Sequence, residues 1–137
     1  MDIRPLSPDH AEAAIALWRA CDLTRPWNDP ASDFARALAG PVSTVLGAFD
    51  GDGLVGTVMV GGDGHRGWVY SLAADPARRG QGIGRALMEA SEAWLAAHDL
   101  PKIQFMVRGT NAAVLDFYDH LGYERQDVVV LGRRLDD

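Results

Sequence analysis

The segment Asp75-Pro76-Ala77-Arg78-Arg79-Gly80-Gln81-Gly82-Ile83-Gly84 constrains this chain more than any other. An apolar run from Trp68 to Ala74 enters it. A longer run leaves it, with Ile83, Leu87, Ala90, Trp94 and Ala97 at helical spacing as far as about His98. Strand, glycine-rich turn and helix therefore follow one another directly. A helix N-terminus carries N–H groups without an intrahelical acceptor, and a partial positive charge. Glycines let an anion approach those groups with no Cβ between. By its own physics the loop is either an anion site or a tight turn that uses glycine for geometry alone.

The common nucleotide fingerprints do not fit. Counting G-x-G-x-x-G from Gly80 puts Arg85 at the sixth position, and counting from Gly82 puts Leu87 there. No P-loop lysine-serine pair follows, no H-E-x-x-H occurs, and no G-x-S-x-G marks a serine nucleophile. No His, Cys, Asp and Glu cluster has metal-ligand spacing, so no metal is expected.

The remaining chain supplies the elements around this unit. Ile3 to Leu6 reads as a first strand, and Ser7-Pro8 opens a helix whose Ala11, Ala14, Ile15, Trp18 and Cys21 share a face. Thr24 to Pro30 is dense in turn formers, and Ala31 to Leu38 is helical up to the Gly40-Pro41 stop. Thr44–Phe49 and Leu54–Val60 read as strands joined by Asp50-Gly51-Asp52-Gly53. After the long helix come a strand at Ile103–Val107, a helix at Asn111–Leu121 closed by Gly122, and a last strand at Val128–Leu131. Hairpins first and β-α-β alternation later predict a mixed α/β domain with helices on both sheet faces. With 137 residues and 47% hydrophobic content, one domain spanning 1–137 is expected.

Charge and cysteine usage narrow the partners. A formal net charge of −6 disfavours nonspecific attraction to nucleic acid or to an anionic membrane. A polyanionic ligand then needs a local basic patch, for which Arg78, Arg79 and Arg85 are the candidates. The single cysteine, Cys21, sits among Ile15, Leu17, Trp18 and Leu23 and reads as a packing thiol. One cysteine permits no intrachain disulfide, which fits a reducing cytoplasm. The Met-Asp-Ile-Arg-Pro start has no apolar core of signal-peptide length, and no stretch approaches the roughly 20 apolar residues of a membrane span. A cytoplasmic protein is expected.

The pattern that fits the loop is Arg-x-x-Gly-x-Gly, met by Arg79, Gly82 and Gly84. From Leu72 to Gly84 the sequence resembles the coenzyme A motif of the GNAT superfamily of N-acetyltransferases. Downstream, Asn111, Tyr118, Gly122 and Tyr123 resemble that family's Asn-x-x-Ala-x-x-x-Tyr-x-x-x-Gly-Phe helix, with Val114 in place of alanine and Tyr123 in place of phenylalanine. The Arg-Pro-Trp-Asn-Asp-Pro loop and Asp63-Gly64-His65-Arg66-Gly67 also look like small bacterial acetyltransferases of the YpeA type.

The resemblance implies a GNAT fold: a mostly antiparallel mixed sheet with a splayed central strand pair. It implies acetyl-CoA as acyl donor and a small-molecule or peptide amine as acceptor, in a monomer or homodimer. The backbone of Leu72, Ala73 and Ala74 would pair with pantetheine. Arg79, Gly80, Gln81, Gly82, Ile83 and Gly84 would take the pyrophosphate, and an N–H near Ala74 would face the thioester carbonyl. Tyr118 would be the general acid, and Asn111 would contact the cofactor or cap its helix. Trp27, Asn28, Asp29, His65 and Tyr70 are candidates for the acceptor side, as is Trp68, with the tryptophans equally suited to a core. Met106 occupies the position where some relatives carry a basic glutamate, which leaves Asp29, Asp63, Glu124 and His65 as candidate bases. The alternatives are a noncatalytic acyl-CoA-binding or sensor module and a nucleotide-binding regulatory domain.

Overall fold

The structure is a computed structural model that describes residues 1–136. Residues Met1–Met106 form one compact unit, and the described residues from Val107 onward form a second.

In the first unit, β1 (Asp2–Pro5), β2 (Ser43–Asp50), β3 (Gly53–Gly62), β4 (Gly67–Ala74) and β5 (Ile103–Gln104) make one sheet in the order β1-β2-β3-β4-β5. Every neighbouring pair is antiparallel except β4 and β5, which are parallel. Helices α1 (Ala11–Ala20) and α2 (Pro30–Ala39) connect β1 to β2, and α3 (Ile83–Ala97) connects β4 to β5. The second unit holds α4 (Ala112–His120). The Ser7-Pro8 start gives a single 3-10 turn, Pro8–His10, before α1 begins, with the Ser7 N–H donating to His10 Nδ1 at 3.0 Å.

Alternation along β3 shows which helices lie on which face, since successive side chains of a strand point to opposite sides. Thr57 accepts a buried hydrogen bond from the Trp18 indole N–H of α1 at 3.0 Å. The adjacent Gly56 faces the other way: a Cβ there would lie 2.5 Å from Ile83 Cγ2 and 2.9 Å from Leu87 Cδ1 of α3. So α1 and α2 cover one face and α3 covers the other. Leu6, Ala14, Trp18, Phe34, Val45 and Phe49 form the core under α1 and α2. Leu87, Met88 and Leu95 of α3 are buried on the opposite side.

Gly56 thus lets the first turn of α3 lie directly on the sheet, and the loop before α3 is placed by that contact. Gly56→Ala is expected to cost about 1–3 kcal/mol through overpacking, read as a lower urea midpoint at unchanged slope.

Two departures from the sequence expectation stand out. The strand predicted over Ile103–Val107 is confined to Ile103–Gln104. The strand predicted at Val128–Leu131 does not form, and all four side chains are exposed. Valine-rich sequence carries strand propensity, but a strand needs a neighbour to take its backbone bonds. Among the described residues of the second unit there is no other strand to provide them.

Candidate functional site

The glycine-rich segment forms an open cradle at the start of α3. Asp75 Oδ1 accepts from the Ala77 N–H at 3.0 Å and caps a 3-10 turn at Pro76–Arg78, so the chain leaves β4 sharply. Gly80 and Gly82 then adopt φ of +80° and +77°, and a Cβ on either would meet nothing within 4 Å. Their glycines therefore serve the left-handed backbone, not a crowded interior. Gly82 is the N-cap of α3 and offers no side chain to it, while the first intrahelical bond runs from Ala86 N–H to Gly82 O at 3.0 Å. Helix geometry leaves the N–H groups of Ile83, Gly84 and Arg85 ahead of that bond without an acceptor.

The three arginines of this region divide by their partners. Arg78 is tied to Asp50 at 2.6 Å and reaches Asp75 at 3.9 Å. Arg79 and Arg85 are exposed and have no ion-pair partner among the described residues. N–H groups without an intrahelical acceptor, left-handed glycines and the unpaired Arg79 fit a pyrophosphate.

Among the described residues, strand β4 leaves most of one edge unpaired. Its pairing with β5 stops after Gly67 with Ile103 and Trp68 with Gln104. Beyond that point no strand pairs with that edge of β4 among the described residues. The Asp75 N–H donates to Val55 O on the β3 side at 2.8 Å. Because backbone groups alternate in direction along a strand, the Ala74 N–H points to the open edge. The Cys21 thiol, half-buried beside the α1 core, donates to Ala74 O at 3.3 Å, which gives it a packing and anchoring role.

A bulge interrupts β4 in its middle, a feature the sequence did not announce. Thr57 faces Ala73 and Met59 faces Tyr70, so Ser71 and Leu72 together oppose Val58. Ser71 has φ +53°, in the left-handed region. Glycine would have signalled such a bulge, and serine does not.

On the α1 and α2 face lies a cleft of about 630 Å³, entirely within the first unit. Asn28, Asp33, Asp63, Trp68 and Tyr70 are among its walls. Of the residues expected on the acceptor side, Asn28, Tyr70 and Trp68 line it. Trp27, Asp29 and His65 do not. Trp27 is exposed on the loop before α2. Asp29 is consumed as the α2 N-cap, accepting from Ala31 N–H at 3.1 Å and from the Ser32 hydroxyl at 2.7 Å. The Ser32 bond foremost holds its carboxyl below the usual range, so it is a poor base. His65 sits on the exposed turn between β3 and β4, its N–H donating to Asp63 Oδ1.

Among the candidate bases, Asp63 alone reaches the cleft. The N–H groups of Arg66 and His65, then the Trp68 indole, hold its pKa down to about 2. It is therefore a persistent charge and a weak proton acceptor. Tyr70 is pushed up by burial and then by the Asp63 charge. Glu124 and Met106 are exposed.

In the second unit, Asn111 Oδ1 accepts from Val114 N–H at 3.3 Å and caps α4. Tyr118 packs edge-on against Phe117 and Tyr123, with ring centroids 5.0 and 5.9 Å away. Burial pushes its phenol up to about 12.

Known proteins agree with this architecture. The tetramutant of the BH1408 protein from Bacillus halodurans is similar with 27% identity and TM-score 0.71, over 98% of this chain and 100% of that one. The aminoglycoside N-acetyltransferase AAC(6')-Iy in complex with CoA shares the fold at 16% identity and TM-score 0.83, over 98% and 95% of the two chains. So does an aminoglycoside acetyltransferase from an uncultured soil metagenomic sample, at 19% identity and TM-score 0.80, over 98% and 96%. The family model for Acetyltransferase (GNAT) matches residues 12–123. The chain belongs to the GNAT acetyltransferase family.

Proposed function

We propose that the chain, acting as one catalytic domain, transfers an acetyl group from acetyl-CoA to a primary amine of a small molecule. The observation that carries this reading is the cradle at the start of α3, where N–H groups lack acceptors and Arg79 stands unpaired. The open edge of β4 supports it, since an extended pantetheine can add there as a strand would.

The chemistry balances without a covalent enzyme intermediate. The amine nitrogen attacks the thioester carbonyl carbon, a C–N bond forms, and the C–S bond breaks. The Ala74 N–H on the open edge stabilises charge on the carbonyl oxygen. The leaving sulfur takes a proton from Tyr118, whose raised pKa keeps that proton in place at neutral pH. The attacking nitrogen releases its proton to water. A small-molecule acceptor is favoured by the size of the cleft, about 630 Å³, and by the two similar aminoglycoside acetyltransferases.

Calorimetry with acetyl-CoA is the direct test, with binding expected in the micromolar range. No heat at millimolar ligand would end the proposal. Thiol release in the presence of an amine panel separates catalysis from mere binding. Tight binding with no thiol released by any amine would return the protein to the noncatalytic acyl-CoA-binding class.

A further inference from the structure

Asp63 carries the one cleft charge with no ion-pair partner among the described residues. Asp33 pairs with Arg36. Arg25 lies 3.5 Å from Asp22 Oδ1 and donates to the carbonyls of Asp22 and Thr24, both at 2.8 Å. Asp63 is instead clamped by three neutral donors. The N–H groups of His65 and Arg66 reach Oδ1 at 2.8 and 2.7 Å, and the Trp68 indole N–H reaches Oδ2 at 3.1 Å. An ionised carboxylate has about four acceptor sites, so a further donor can be taken, and the full negative charge is uncompensated. Its orientation is fixed before any ligand arrives, which lowers the entropic cost of binding one.

Position decides what that charge can do. The inference rests on the acetyl-transfer reading, because that reading puts the reacting end near Ala74. Asp63 is bound to Trp68, at the opposite end of β4. Six strand steps, shortened by the bulge, separate these residues by on the order of 15 Å. A general base must lie within hydrogen-bond reach of its proton or one water away, so Asp63 is too far to serve the reacting nitrogen. Between the two ends, Met59 and Tyr70 face each other across the strands and both line the cleft. They offer apolar surface to a carbon chain.

We propose that Asp63 is a specificity-determining residue that docks a second, protonated amine of an elongated acceptor, on the order of 15 Å from the nitrogen that is acetylated. The acceptor class is then a long diamine or polyamine.

The test compares decanediamine with aminodecanol, which has the same length but a neutral far end, in the thiol-release assay. The diamine is expected to show a KM about fivefold lower, the upper range for an exposed ion pair. Putrescine and aminobutanol, too short to reach, are expected to differ little. Asp63→Asn should bring the long-chain ratio to about one, whereas Trp68→Phe, which keeps the charge, should retain a preference. Equal KM values in the wild type would overturn the proposal, as would a fivefold ratio surviving in Asp63→Asn. The wild-type comparison decides even if that variant fails to fold. Calorimetry with decanediamine alone separates the two levels. Asp63-dependent binding without thiol release keeps the docking site and removes acetyl transfer. Turnover without charge preference does the reverse, and absence of both removes both.

Discussion

Gly82→Trp is expected to weaken acetyl-CoA binding by about a hundredfold or more while the domain still folds. The indole would fill the space in front of the N–H groups that open α3. Losing two charge-assisted hydrogen bonds there corresponds to about 3 kcal/mol or more. The substitution meets no protein atom near its Cβ, so the intrinsic cost is the left-handed backbone, about 1–2 kcal/mol. Gly51→Trp on the β2–β3 turn isolates that term. Gly51 also has positive φ, +61°, and open surroundings, but it lies outside the cradle. Calorimetry and melting on both variants form the check. Similar loss of stability with affinity lost only at Gly82 is the expected pattern. Unchanged affinity in Gly82→Trp, or equal affinity loss in both, would remove the cradle as the phosphate site.

Tyr118→Phe is expected to lower kcat by about 10²–10⁴, the usual range for a general acid, with acetyl-CoA affinity unchanged. The ring contacts to Phe117 and Tyr123 survive in phenylalanine, so the variant isolates the proton. The pH dependence follows from burial. The working form is the protonated phenol, and its pKa is raised to about 12, so activity tied to it is lost only as pH rises through that value. Wild-type kcat should therefore show no falling limb from Tyr118 below about pH 10, where an unperturbed tyrosine would already titrate. Equal turnover in the phenylalanine variant would exclude Tyr118 as the acid. An alkaline limb near pH 8 would assign control to another group.

Local signals in the sequence carried most of the fold because each answers a local question. The Asp50-Gly51-Asp52-Gly53 turn, the Gly40-Pro41 stop and the Asn111 cap each satisfy backbone groups within a few residues. The glycine turn that opens α3 was legible for the same reason: it is one contiguous segment. The cleft was legible only in scattered residues, Asn28, Trp68 and Tyr70, because it draws on α1, α2 and the facing strands, which only tertiary packing brings together. Asp29 and Asp63 look alike in sequence, each in a turn before or after glycine or proline. The fold spends Asp29 on an N-cap and leaves Asp63 in the cleft. Val128–Leu131 shows the converse limit. Its composition states a preference, and pairing depends on a neighbour that the sequence cannot supply by itself.

The bulge at Ser71 has a bearing on how such a protein can change. Residues before it, Trp68 and Tyr70, belong to the cleft, and residues after it, Leu72 to Ala74, lead into the loop before α3. An extra residue resets the alternation at the point where these two jobs meet. Remodelling of the Asp63–Arg66 turn can then be absorbed there without turning Ala73 off its buried face. Under the proposed function, exchanging that one short turn would alter the acceptor side and leave the segment leading to α3 in place.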